Sequence, residues 1–177
     1  MQSLGIDLST TATGLVLLEA ADGLSGPHVL LEREIKVKKL TGMARHRAIV
    51  TDVMETVIQH LPVRIVIEGY GLNTKHASSI VPLVELGGLL RFMLHLDELE
   101  WLDPRPSQVK KFATGNGAAP KDQVMMHVLK RWGHTSKSNN TADAFVCAAI
   151  GLAHLGRAIG ATKEMVKLAK ELQLQCS

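Results

Sequence analysis

Ser3-Leu-Gly-Ile-Asp-Leu-Ser-Thr-Thr-Ala-Thr-Gly-Leu-Val-Leu-Leu-Glu-Ala20 reads as two strands joined by a polar turn. Ser3–Leu8 is a short strand, ended by Ser9, Thr10 and Thr11. Gly14–Ala20, rich in Val and Leu, is the second. Asp22, Gly23, Ser25, Gly26 and Pro27 make a turn cluster. His28–Val37 alternates as a third strand, with Leu31, Arg33, Ile35 and Val37 on one face. Consecutive strands with short links predict an antiparallel meander.

Beyond the meander the pattern changes to helices and isolated strands. Val50, Val53, Met54, Val57, Ile58 and Leu61 fall on one helical stripe, which Pro62 ends. Arg64–Ile67 is a short, almost wholly apolar strand suited to the middle of a sheet. Residues 77–96 form a helix with apolar residues nearly all round, which predicts burial on two sides, in the core or against a second subunit. Leu99–Leu102 is a strand, closed by Asp103, Pro104 and Pro106. Helices follow at Gln108–Phe112, capped by Ser107, at Lys121–Trp132, at Asn140–Gly156 and in the amphipathic stretch Ala161–Leu174. This order predicts an α/β fold, a five-stranded mixed sheet with helices on both faces. Residues 1–157 are expected to form one domain, and 158–177 a C-terminal amphipathic helical tail.

The chain has 177 residues, of which 46% are hydrophobic and 3% aromatic, so its core must rest on Leu, Val, Ile, Ala and Met. A formal charge of +3 permits nucleic-acid binding without establishing it. Cys147 and Cys176 match no metal-ligand spacing, and no His-x-x-x-His pair occurs, so a zinc site is not expected. The first residues lack the basic and apolar pattern of a secretion leader, and Glu85 and Arg91 interrupt the longest apolar run. A cytoplasmic protein with no membrane contact is the expectation.

Three acids stand where charge is costly. Asp7 ends the first strand, Glu68 follows the central strand, and Asp143 lies near the start of the last core helix, each within an apolar stretch. In the expected topology the first and fourth strands are parallel neighbours. Asp7 and Glu68 then sit side by side, and the last helix can bring Asp143 to them. Such a cluster suits Mg²⁺, a hard cation that prefers oxygen ligands. Two such ions about 4 Å apart can drive phosphodiester cleavage. Simpler roles exist for each acid alone: a turn contact for Asp7 to Ser9 or Thr10, an ion pair for Glu68 with Arg64 or Lys75, and a helix-dipole contact for Asp143.

Gly5-Ile-Asp-Leu-Ser-x-x-x-Thr-Gly14, Ile67-Glu68, Pro106-Ser-Gln-Val-Lys-Lys111, Gly115-Asn-Gly-Ala-Ala-Pro-Lys-Asp-Gln-Val124 and Ala142-Asp-Ala144 together resemble the RuvC Holliday-junction resolvases, in order and in spacing. The resemblance spans about residues 2–156, and the element order is that of the ribonuclease H-like fold. The compact sequence looks like the phage-borne branch. The resemblance implies a homodimeric, Mg²⁺-dependent endonuclease acting on four-way junctions, with Mn²⁺ able to substitute and helix 77–96 as the dimer face. It assigns metal binding to Asp7, Glu68 and Asp143. Asn140 stands where the family carries Asp or His, and is carried as a fourth candidate ligand or water-positioner. Lys110 and Lys121 match basic residues near the scissile phosphate, and Lys121 counts with the catalytic set. Tyr70 stands one place before the family's wedge aromatic, a position held here by Gly71. Tyr70, Lys75, Lys110, Lys111 and Lys121 are the candidate DNA contacts.

Other readings remain at this stage. The same fold could cut flaps or forks, or bind branched DNA without cutting it. Asp7-Leu-Ser-Thr-Thr-Ala-Thr-Gly14 also resembles the phosphate loop of the actin and sugar-kinase fold, but that fold repeats its unit and needs about twice this length.

Overall fold

The structure, a computed structural model, describes residues 1–20, 26–71 and 77–175, with the side chains of residues 77–79 and 121 left out. The meander is β1 (Gln2–Asp7), β2 (Thr13–Glu19) and β3 (His28–Ile35). Helix α1 (Gly42–His60) leads to β4 (Arg64–Ile67), α2 (Ala77–Leu96) and β5 (Trp101–Leu102). Helices α3 (Pro106–Thr114), α4 (Lys121–Trp132), α5 (Asn139–His154) and α6 (Lys163–Glu171) follow, and β6 (Leu174–Gln175) is the last described element.

The sheet runs β3-β2-β1-β4-β5-β6. β1 is antiparallel to β2 and parallel to β4, and β5 is parallel to β4. It has six strands where five were expected. The added strand, β6, lies antiparallel to β5. It occupies the end of the stretch expected to be helical, because α6 stops at Glu171 and the backbone at Leu172 is extended. Other boundaries move by a few residues. The short helix starts at Pro106, capped by Arg105 in place of Ser107, since proline fits the first helical position.

Period-two alternation in the strands builds two cores. Leu4, Ile6, Leu15, Leu17, Ile65 and Ile67 face α1 and α2, where they meet Ile49, Val53, Leu86 and Leu90. Val16, Leu18, Val66 and Leu102 face the other side, against α3, α4 and α5. Every residue of α5 from Thr141 to Ala153 is buried. That is possible because α5 is rich in alanine and lies over glycines. A Cβ on Gly5 would stand 1.9 Å from the Ala144 carbonyl oxygen, and one on Gly14 would stand 2.3 Å from that of Asn140. Ser138 caps this helix, its Oγ accepting from the Thr141 backbone N–H at 3.2 Å.

On α1 the stripe is buried at Val50, Val53, Met54 and Val57 but open at Ile58 and Leu61. Helix α2 buries Leu86, Leu90 and Leu94 and leaves Val81, Val84, Phe92 and Leu96 exposed. Among the described residues, no helix is long and apolar enough to cross a membrane.

Candidate active site

Asp7 is the last residue of β1, and the Glu68 N–H donates to the Ile6 carbonyl at 2.9 Å, which places Glu68 beside Asp7 at the same end of two parallel strands. Alternation turns Asp7 to the α5 side of the sheet, opposite to Ile6. Asp143, one turn into α5, descends onto that side. One carboxylate oxygen from each of Asp7, Glu68 and Asp143 lies within 4.8 Å of the others. Asp7 and Asp143 are buried and Glu68 is half-buried. The β1–β2 turn beside them is closed by Ser9 and Thr13: the Thr13 hydroxyl donates to the Ser9 carbonyl at 2.7 Å and accepts from the Ser9 N–H at 3.1 Å.

An all-oxygen donor set of this size fits a divalent ion. Mg²⁺ binds oxygen at about 2.1 Å, so its opposite ligands stand about 4.2 Å apart. The 4.8 Å span of these oxygens is of that order. The charge shows in the surroundings. Cys147, one turn further along α5, is fully buried. Burial pushes its thiol well above the ordinary range, and the negative charges of Glu68, Asp7 and Asp143 push it further. The buried thiol is therefore neutral and not a nucleophile.

The acids line a cleft of about 210 Å³ with Gly69, Tyr70, Gly71, Leu83, Pro106 and Lys110. Lys110 thus lines the same cleft as the carboxylates, whereas Lys111 lines a separate groove with Gln108, Arg131 and Thr162. The backbone of Lys121 begins α4, but its side chain and the whole of Lys75 lie outside the described residues.

Tyr70, expected as a DNA contact, is packed against α2. It is half-buried, and its ring lies under the Arg91 guanidinium, 4.9 Å from centroid to carbon. Its hydroxyl accepts from Arg91 at 2.9 Å and donates to the Val84 carbonyl at 3.3 Å. Arg91 in turn grips Asp103 with both arms, at 2.9 and 3.1 Å. The reason is Gly87: a Cβ there would stand 2.1 Å from the Tyr70 hydroxyl, so its absence opens a seat on α2. The signal for this contact was Arg91 itself, a charge inside a largely apolar helix.

Asn140 lies over Gly14, beside the cluster but turned toward β3. Its Nδ2 donates to the Ala12 carbonyl at 2.9 Å and to Glu34 at 3.1 Å. Glu34 also accepts from the Ser138 hydroxyl at 2.6 Å and pairs with Lys36. These bonds, the one from Lys36 foremost, hold its carboxyl below the usual 4.5. Reading the sequence passed over Glu34, because a carboxylate in an alternating edge strand looks like a solvent-facing residue.

Comparison with known proteins agrees with this geometry. The family profile described as "Crossover junction endodeoxyribonuclease RuvC" matches residues 3–154. The curated protein of that name from Hydrogenovibrio crunogenus is 31% identical over 146 residues, covering 82% of this chain and 83% of its own. Its namesake from Carboxydothermus hydrogenoformans is 26% identical over 167 residues, covering 88% and 98%. Among solved structures, Thermus thermophilus RuvC superposes with a TM-score of 0.72 at 17% identity, covering 99% of this chain and 100% of its own. The same protein in complex with a Holliday junction substrate gives 0.68 at 22% identity, over 89% and 97%. With a ribonuclease H-like sheet, an acid cluster at the ends of its central strands and a family match over most of its length, the chain belongs to the RuvC family of crossover junction endodeoxyribonucleases.

Proposed function

We propose that this protein is a structure-selective endonuclease that resolves four-way DNA junctions by paired, Mg²⁺-dependent cleavage of phosphodiester bonds. The observation that carries this reading is the convergence of Asp7, Glu68 and Asp143 within 4.8 Å, from two strands and a helix far apart in sequence. Those three would hold the metal, Mn²⁺ serving in place of Mg²⁺, and Asn140 would add a neutral oxygen ligand or position a water. When bound, the divalent ions supply an activated water and stabilise the leaving oxygen.

The chain's own residues do the rest. Lys110, on the wall of the same cleft, neutralises a backbone phosphate and draws it toward the acids. Lys121 would act with Lys110 at the scissile phosphate, and Lys75 and Lys111 would extend the contact to flanking phosphates. Tyr70, braced by Arg91, offers a fixed aromatic wall against which a base at the crossover can stack. Pairing of two copies through α2 and its exposed Val81, Val84, Phe92 and Leu96 would put two sites about a twofold axis, so that opposed strands are cut in concert. A cytoplasmic location fits a protein that acts on DNA.

The test is incubation of the full chain with a synthetic four-way junction, with Mg²⁺, with Mn²⁺ and with chelator, mapping the nicks. Symmetrical nicks near the crossover that vanish with chelator are expected. Preferential cutting of matched flap or fork substrates would change the substrate assignment. Metal-independent nicking would sink the mechanism.

A further inference from the structure

We propose that Glu34 is a positioning residue of the active site, acting through Asn140. The geometry starts with the sheet register. Asp7 pairs with Gly14 across β1 and β2, and Gly14 pairs with Glu34 across β2 and β3. Residues directly opposite one another project to the same face, so Asp7 and Glu34 stand on the α5 side about 10 Å apart, two strand spacings. Gly14, between them, leaves room for the start of α5, whose Asn140 backbone lies where a side chain would be. Asn140 and Asp143 are three residues apart and share a helix face. Asn140 therefore bridges the gap from the acid cluster to Glu34.

The direction of that bridge is fixed by chemistry. The two groups that Asn140 meets, the Ala12 carbonyl and the Glu34 carboxylate, accept hydrogen bonds. The end of the amide turned to them is the nitrogen, and on this proposal Oδ1 is the atom that serves the side of Asp143 and Asp7. Without Glu34 the amide would keep one partner and gain freedom to rotate. One Glu34 oxygen also accepts from the Ser138 cap, tying the start of α5 to β3. Glu32 reinforces the same junction, accepting from the Lys137 backbone N–H at 2.7 Å. An ordinary surface ion pair with Lys36 does not explain why one carboxylate oxygen takes both the cap and the amide of the helix that carries Asp143.

This inference rests on the metal-nuclease reading and deepens it. Its test is a double-mutant cycle on the full chain, with Glu34→Ala and Asn140→Ala made singly and together. Cleavage rate of a four-way junction under Mg²⁺ is one readout, and Mn²⁺ affinity by calorimetry without DNA is the other. With Asn at 140, Glu34→Ala should slow cleavage and weaken Mn²⁺ binding about tenfold, the scale for a group that orients a ligand. With Ala at 140 the same change should cost less than about twofold. Glu34→Gln, which keeps an acceptor oxygen, should recover most of the loss. Equal losses in both backgrounds would overturn the proposal, because Glu34 would then act only through Ser138 and the helix start. No loss in either background, or a Glu34→Gln protein as impaired as Glu34→Ala, overturns it too. If Glu34→Ala does not fold, Glu34→Val, better suited to a strand, replaces it in the cycle. Wild-type protein that leaves the junction intact sinks the nuclease reading, while the Mn²⁺ arm still reports whether Glu34 acts through Asn140.

Discussion

Asp7 exposes 9% of its surface and Asp143 only 5%, and both share a narrow space with Glu68. Removing one charge while keeping the shape should therefore separate chemistry from binding. Asp7→Asn should lower the cleavage rate by about 10²–10³-fold, as losing one preorganised contact to the reacting group does, while gel-shift affinity for the junction stays within about threefold. Lys110 should behave oppositely. Lys110→Ala should weaken junction binding and reduce the slope of log affinity against log salt by about one, the signature of one lost phosphate contact. A titration of binding against NaCl measures it, and an unchanged slope would remove Lys110 from the interface. The acids were legible because each interrupts an apolar run. Glu34 was not, because its meaning lies in strand register: only when Gly14 is known to stand between it and Asp7 does a charge on an edge strand point inward.

Helix α5 lies against the backbone of β1 and β2 because Gly5 and Gly14 carry no side chain. At Gly5 the obstacle to a Cβ is main chain, the Ala144 carbonyl and the Ala148 nitrogen at 1.9 and 2.4 Å, so no rotamer change can relieve it. Gly5→Ala should destabilise the fold by about 3 kcal/mol or more, the upper range for overpacking, and should lift Asp143 away from Asp7. Thermal unfolding checks the first effect, and Mn²⁺ affinity of the surviving folded protein checks the second. A variant with unchanged melting would mean that helix and sheet are less tightly fitted than described. Elements with strong periodic patterns or hard stops were readable from sequence: Arg64–Ile67, Ala77–Leu96 and Lys121–Trp132 have the same bounds in both readings. β6 was not, since two residues cannot display a period, and its pairing with β5 depends on where α6 leaves the chain. The helix at α5 was legible to within a residue or two at each end, Asn140–Gly156 against Asn139–His154, but its burial on all sides and its glycine seats needed the sheet register to be seen.

On the scale of the whole molecule, the sheet is covered on both faces, yet the α1–α2 layer keeps an apolar outer surface. Phe92 is 55% exposed and Leu96 57%, beside a groove lined by Met43, Met54, Ile58, Leu89 and Met93. This is the face through which two copies are proposed to pair. Phe92→Glu should shift the protein to monomer in sedimentation experiments, with junctions nicked on one strand at a time. A dimer of unaltered stability would place the interface elsewhere. The order of the strands carries one more consequence. Asp7 and Glu68 sit on neighbouring strands made early, while Asp143 and the helix above them come from the last third of the chain. The third acid therefore joins the other two only once α5 has been made and has packed on the sheet, so a fragment ending before Asp143 carries an incomplete cluster.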